Sequence, residues 1–139
     1  MGPTATRVGG ERLAAVIEKI TASRPAQQWL DALIGWWVNA LETSSFRTGC
    51  PIVGAALAES EPGVQAAAGA VFADWHEKLG SAMETAGLPA EESASLASFV
   101  FSAMEGAIVQ ARAMKSTQPL VDAQQQLGVL FDHYLGAAK

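Results

Sequence analysis

The sequence predicts an all-α fold, a bundle of about six helices. Three observations carry this reading. Apolar residues recur at three- and four-residue steps through most of the chain. No segment alternates apolar and polar residues as a half-buried strand does, and the connections between apolar runs are short. The strongest run, from Pro89 to Lys115, has neither Gly nor Pro between Pro89 and Gly106. Leu96, Val100, Ala103, Ala107 and Met114 form one stripe along it. Phe101 and Ile108 lie on a second side, and Phe99 and Val109 on a third. A helix that is apolar nearly all round needs neighbours on several sides. One chain of this length covers only some of them, so this helix is expected to face the core on one side and a second subunit on another.

The elements follow in order. Residues 1–9 hold Gly, Pro and Thr and are expected to form a flexible N-terminal segment ahead of a domain over residues 10–139. A first helix from Gly10 to Ala22 buries Leu13, Val16, Ile17 and Ile20. Ser23 to Pro25 breaks it, and Pro25 suits the first turn of a second helix reaching about Thr43. Trp29, Leu33, Trp36, Trp37 and Leu41 stand at helical steps along that second helix. Ser44 to Cys50 is a loop, and Pro51 opens a short third helix to about Ser60. A fourth, from about Val64 to Ala86, buries Val71, Phe72, Trp75, Leu79 and Met83. Gly87 stops it and Leu88-Pro89 starts the long fifth helix, with Glu91 and Glu92 favourable in its first turn. Ser116 and Thr117 cap a sixth, which carries Leu120, Leu127, Leu130, Phe131 and Tyr134 to about Ala137.

Composition narrows the function. The chain has 139 residues, 50% of them hydrophobic, and a formal net charge of -5. A chain near this length buries roughly two-thirds of its unfolded surface and folds without a disulfide or metal. The basic residues are scattered singly, which argues against a nucleic-acid surface. One cysteine, Cys50, permits no internal disulfide and fits a reducing, cytoplasmic compartment. Met1 to Gly10 does not resemble a signal peptide, and no apolar run reaches roughly eighteen residues, so no membrane span is expected.

Few residues suggest chemistry. Cys50 precedes a helix start, where backbone N–H groups favour a thiolate and a thiol sensor; the plainer reading is a small residue packed under the loop. Glu105 is a lone charge inside an apolar run. It either pairs with Arg47 or Arg112, or meets a cationic ligand or donates to a polar group in a pocket. His76 and Glu77 are adjacent, as are Asp132 and His133, so neither pair converges on one site. There is no metal-ligand spacing, no nucleophile with base and acid, and no phosphate loop. Neither a cofactor nor an enzyme is expected.

Two stretches carry a resemblance. Phe46-Arg47-Thr48-Gly49-Cys50-Pro51-Ile52, followed by Ala55, Ala56, Leu57 and Glu59, resembles the middle of the regulatory domain of the tetracycline-repressor (TetR) family, in its LmrA/YxaF-like branch. Met104-Glu105-Gly106-Ala107-Ile108-Val109-Gln110-Ala111-Arg112-Ala113 resembles that branch's penultimate helix. The spacing of Trp29 to Trp36 and of Phe72 to Trp75, and Ala86-Gly87-Leu88, also fit, so the resemblance runs from about residue 10 to the end. It implies a TetR C-terminal-domain-like bundle that binds a small molecule and dimerises. The family pattern places a helix-turn-helix domain of about fifty residues ahead of the first helix, and that domain is absent from this sequence. DNA contact is therefore expected only through a domain outside it.

The expected function is effector sensing in a transcriptional repressor. The effector is a small apolar or aromatic molecule, and the partner is a second copy of the chain. The candidate ligand residues are Trp29, Trp36, Phe46, Phe72, Trp75, Phe99, Met104 and Glu105. The expected interface pairs the fifth and sixth helices with their copies through Ile108, Arg112, Leu120, Leu127, Leu130, Phe131 and Tyr134. The alternative is a ligand-free dimerising module with a filled core, acting only by protein–protein interaction.

Overall fold

The structure, a computed structural model, describes residues 2–138. It is 84% helical, with six α-helices and no strand among the described residues. Helix α1 spans Pro3–Ser23, α2 Trp29–Thr43, α3 Pro51–Ala56, α4 Pro62–Thr85, α5 Ala90–Met114 and α6 Gln118–Ala138. A short 3-10 turn, Ala26–Gln28, sits before α2.

Helix α1 begins at Pro3, well before the Gly10 start that the sequence suggested. Two glycines lower local propensity by about 1 kcal/mol each, which made this stretch read as loose. Packing overrides that cost. Thr6 is buried and its hydroxyl donates to the Gly2 carbonyl at 3.1 Å. A Cβ on Gly10 would lie 2.6 Å from both methyls of Val71, so α1 and α4 cross here with no room for a side chain. The Gly10 carbonyl accepts a bond from Trp75 Nε1 at 3.0 Å, which ties the crossing together.

The α1–α2 corner is set by Trp29, whose Nε1 donates to the Arg24 carbonyl at 2.9 Å. Helix α3 stops at Ala56 rather than Ser60. Gln65 from α4 donates to the Ala56 carbonyl at 2.8 Å and satisfies one of its open acceptors. Three helices end in left-handed residues. Ser45 (φ 54°) follows α2, Gly87 (φ 109°) follows α4 and Lys115 (φ 55°) follows α5. The N–H groups of Phe46, Leu88 and Ser116 reach back to Leu41, Met83 and Ala111, closing the end of each helix.

Helix α5 lies at the centre. Leu96, Val100, Phe101, Met104, Ala107 and Ile108 are buried against the rest of the bundle. By length and composition alone it is a helix that would cross a bilayer, contrary to the sequence expectation. Its packing is that of a core helix, which passes the same test.

The expected dimer row needs correction. Ile108, Leu120, Leu127 and Phe131 are buried by their own chain. Phe131 packs edge-on to Trp29, ring centroids 6.4 Å apart. Leu130 and Tyr134 are half-buried against the same core. The outward apolar residues are different ones: Phe99 and Val109 on α5, and Val121 and Val129 on α6. Regular spacing marks a buried stripe on a helix without stating whose atoms bury it.

Candidate effector cavity

Between α1, α2, α3 and α4 lies a cavity of about 340 Å³, open at one side. Gly9, Arg12 and Leu13 of α1 line it, with Trp36, Trp37 and Ala40 of α2. Thr48, Gly49 and Cys50 of the loop, Pro51 and Ile52 of α3, and Trp75 of α4 complete it. Large rings beside Gly and Ala leave this space, because small residues do not fill what the rings hold apart. Trp36 and Trp37 stand perpendicular, centroids 4.9 Å apart.

Of the expected ligand residues, Trp36 and Trp75 line the cavity. The others lie elsewhere. Trp29 is core, at the corner with Phe131. Phe99 faces outward and is 52% exposed. Met104 is fully buried in the core. Phe72 packs edge-on behind Trp75, centroids 5.5 Å apart. Phe46 is half-buried on the loop outside the lining. These corrections share one cause: helical spacing groups rings on a face, while the crossing of helices decides which face meets the open space. Gly9, Arg12, Leu13, Ala40, Pro51 and Ile52 were not expected in the lining. The Phe46-to-Ile52 motif was the available signal for Pro51 and Ile52.

The two stretches that carried the resemblance meet in space. Arg112 of α5 donates through Nη2 to the Arg47 carbonyl at 2.7 Å and through Nε to the Phe46 carbonyl at 3.4 Å. These bonds hold a loop in which both Ser45 and Phe46 have positive φ. A Cβ on Gly49 would lie 2.7 Å from Arg112 Cδ and Nη1, so only glycine lets the guanidinium pass. Arg112 thus serves its own chain, where a subunit contact was expected. Gly49→Ala should push Arg112 off the loop and weaken folding and cavity closure as Arg112→Ala does. In a denaturation double-mutant cycle the second substitution should add little to the first. Additive losses would show that the two residues act separately.

Glu105 pairs with neither Arg47 nor Arg112. Both its carboxylate oxygens are buried, with the weakly donating Cys50 thiol beside them. Burial pushes its carboxyl up to about 7, and the nearby Cys50 thiol offsets part of that rise. Cys50 itself is pushed up to about 12, by burial first and then by the Glu105 charge. It is a thiol at neutral pH and packs as a small buried residue, so the thiol-sensor reading fails. Trp37 Nε1 is a buried polar atom without a partner. His76 stacks on Phe101, centroids 5.6 Å apart, away from the cavity lining. Among the described residues no cluster of His, Cys, Asp and Glu forms a metal site.

Residues 25–126 match the family profile described as the transcriptional regulator LmrA/YxaF-like C-terminal domain. The chain belongs to this family. The LmrA/YxaF-like domain is also similar to two uncharacterized HTH-type transcriptional regulators of Mycobacterium tuberculosis, from strains CDC 1551 and H37Rv. Each is 32% identical over 125 residues, covering 85% of this chain and 63% of the relative. The chain thus spans less than two-thirds of the length of these relatives. No solved structure matches it. The matched span takes in the cavity loop, Glu105 and Arg112 together, and it is the regulatory domain of a TetR-like transcriptional regulator rather than a member of an enzyme family.

Proposed function

We propose that this domain senses a small apolar or aromatic effector in the cavity between α1 and α4, and dimerises through the outer faces of α5 and α6, within a cytoplasmic repressor. The observation that carries the reading is the cavity itself. Its 340 Å³ lies within the usual range for a small-molecule site, and its walls are indole rings with a few polar groups. Effector binding acts on DNA only through a helix-turn-helix domain outside this sequence. The coupling requires the effector to prefer one of two spacings of the dimer. Arg112 supports a route for it. It joins the cavity loop to α5, and α5 carries part of the outward apolar face.

The surface proposed for the partner copy combines Phe99 and Val109 with Val121 and Val129. Beside them runs a shallow groove floored by Ala103, Gly106, Ala107 and Ala123, where a facing helix can approach closely. Val129→Glu should therefore turn a dimer into a monomer by sedimentation at micromolar concentration, while helicity is retained. Leu127→Glu should instead unfold the domain, because Leu127 is core. A wild-type monomer would refute the dimer.

The effector reading is tested by thermal melting against a panel of planar aromatic and aliphatic compounds. A ligand of the folded state raises the melting temperature by mass action. If no compound does so, the ligand-free dimerising module takes its place.

A further inference from the structure

The lining of the cavity changes character with depth. Leu13, Trp37, Ile52 and Trp75 are buried and make its floor. Arg12, Trp36, Thr48 and Pro51 also line it but are exposed, so they mark the open side. The floor offers a ligand no strong polar side-chain atom. Trp75 Nε1 is spent on the Gly10 carbonyl. Trp37 Nε1 is closed off inside the core. Cys50 is a buried thiol, which is a weak donor. A polar group carried to that depth loses its water and gains little in return.

The polar groups are at the mouth. Arg12 is the one charged side chain in the lining, which holds no Asp or Glu. The ion pairs among the described residues are those of Lys78 with Glu18 and Asp74, so Arg12 has no carboxylate partner there. Arg112, by contrast, is bonded to the carbonyls of Phe46 and Arg47. Thr48 is the other polar residue of the rim. The chain as a whole carries a net charge of -5, so its overall field favours cations. The cavity mouth has the opposite sign.

We propose that the effector is an aromatic acid, which enters ring first and leaves its carboxylate at the mouth on Arg12. This rests on the reading of the cavity as the effector site. The planar guanidinium fork matches a carboxylate with two parallel hydrogen bonds. The rings of the ligand lie along Trp36, Trp37 and Trp75, where edge and face contacts add to the burial of apolar area. The carboxylate keeps part of its water at the mouth, and salt screens its attraction to Arg12. The contact therefore orients the ligand and selects its charge, while the apolar floor supplies most of the affinity.

Three probes that share a naphthalene ring and differ in charge test the inference. They are 2-naphthylacetate, 2-naphthylacetamide and 2-(2-naphthyl)ethylammonium, read by calorimetry and thermal melting of the full chain at neutral pH. The acetate should bind most tightly and the ammonium least. Arg12→Gln should weaken the acetate by about tenfold, the worth of one charge-assisted contact near solvent, and leave the acetamide unchanged. Arg7→Gln removes an exposed cation of the same helix outside the lining and should change neither. Raising the salt concentration should weaken the acetate and not the acetamide, a readout on the wild type that needs no variant to fold. Binding of the acetamide or the ammonium as tight as that of the acetate overturns the acid assignment and leaves the effector cavity standing. Acetate binding equal in Arg12→Gln, or indifferent to salt, overturns the role of Arg12. If none of the three binds at millimolar concentration, the acid proposal falls; the effector reading falls only if the wider panel is also silent.

Discussion

Trp75→Ala should cost roughly 3–5 kcal/mol of folding stability, the range for deleting a large buried ring. Trp75 is 1% exposed and packs against Phe72 and Phe101, with centroids at 5.5 and 5.8 Å. It also donates to the Gly10 carbonyl across the close α1–α4 crossing. Removing the ring leaves a hole on its core side and loses that bond. The loss is a large share of the 5–15 kcal/mol typical of a domain. The melting temperature should fall by more than about 10 °C, and Trp75→Phe should recover most of the packing while still lacking the bond. Urea denaturation and calorimetry decide the matter. A loss below about 1 kcal/mol would mean that the ring faces mainly open space. Because Trp75 borders the cavity as well, the same variant should weaken effector binding, and Trp36→Ala is the cleaner probe of the cavity since Trp36 is partly exposed.

Glu105→Gln should flatten the pH dependence of stability. The sign follows from linkage. Glu105 has a folded value of about 7 against an ordinary 4.5, so between those values the folded chain keeps a proton that the unfolded chain has lost. Stability therefore falls as pH rises through this window. The penalty is absent below the ordinary value and complete above the folded one. Its size is about 3 kcal/mol, from the shift at 1.36 kcal/mol per unit. Relative to the wild type, the variant should gain that amount between acid and mildly alkaline solution, most of it between pH 5 and pH 7. Urea midpoints at several pH values measure it. Parallel profiles for the two proteins would show that the carboxylate finds donors in solution.

The first helix shows where sequence reasoning reaches its limit. Pro3 is a good helix start, yet Gly9 and Gly10 argued against continuing through them. Only the approach of Val71, distant in the chain, shows why a glycine stands at position 10. The sixth helix makes the same point about faces. Leu120, Leu127 and Phe131 were legible as a buried row, but the row belongs to the core and Val121 and Val129 to the outside. Arg112 was legible as a cation two turns from Glu105, yet its guanidinium goes to the Phe46–Arg47 loop.

What the sequence by itself determined is the all-α class, the number of helices, most of their ends and the family. Those features depend on residue spacing, on proline and glycine at the corners, and on two short stretches of residues, all local in the chain. The tertiary structure alone decided that the second and fourth helices bring Trp36, Trp37 and Trp75 around one cavity while Trp29, Phe99 and Met104 go elsewhere. It also decided that the Glu105 carboxylate is buried beside the Cys50 thiol, unpaired with Arg47 or Arg112. The physical reason is that spacing sets which side chains share a helix face. What that face meets depends on how helices far apart in the chain cross, and small residues such as Gly10 and Gly49 set how closely they do.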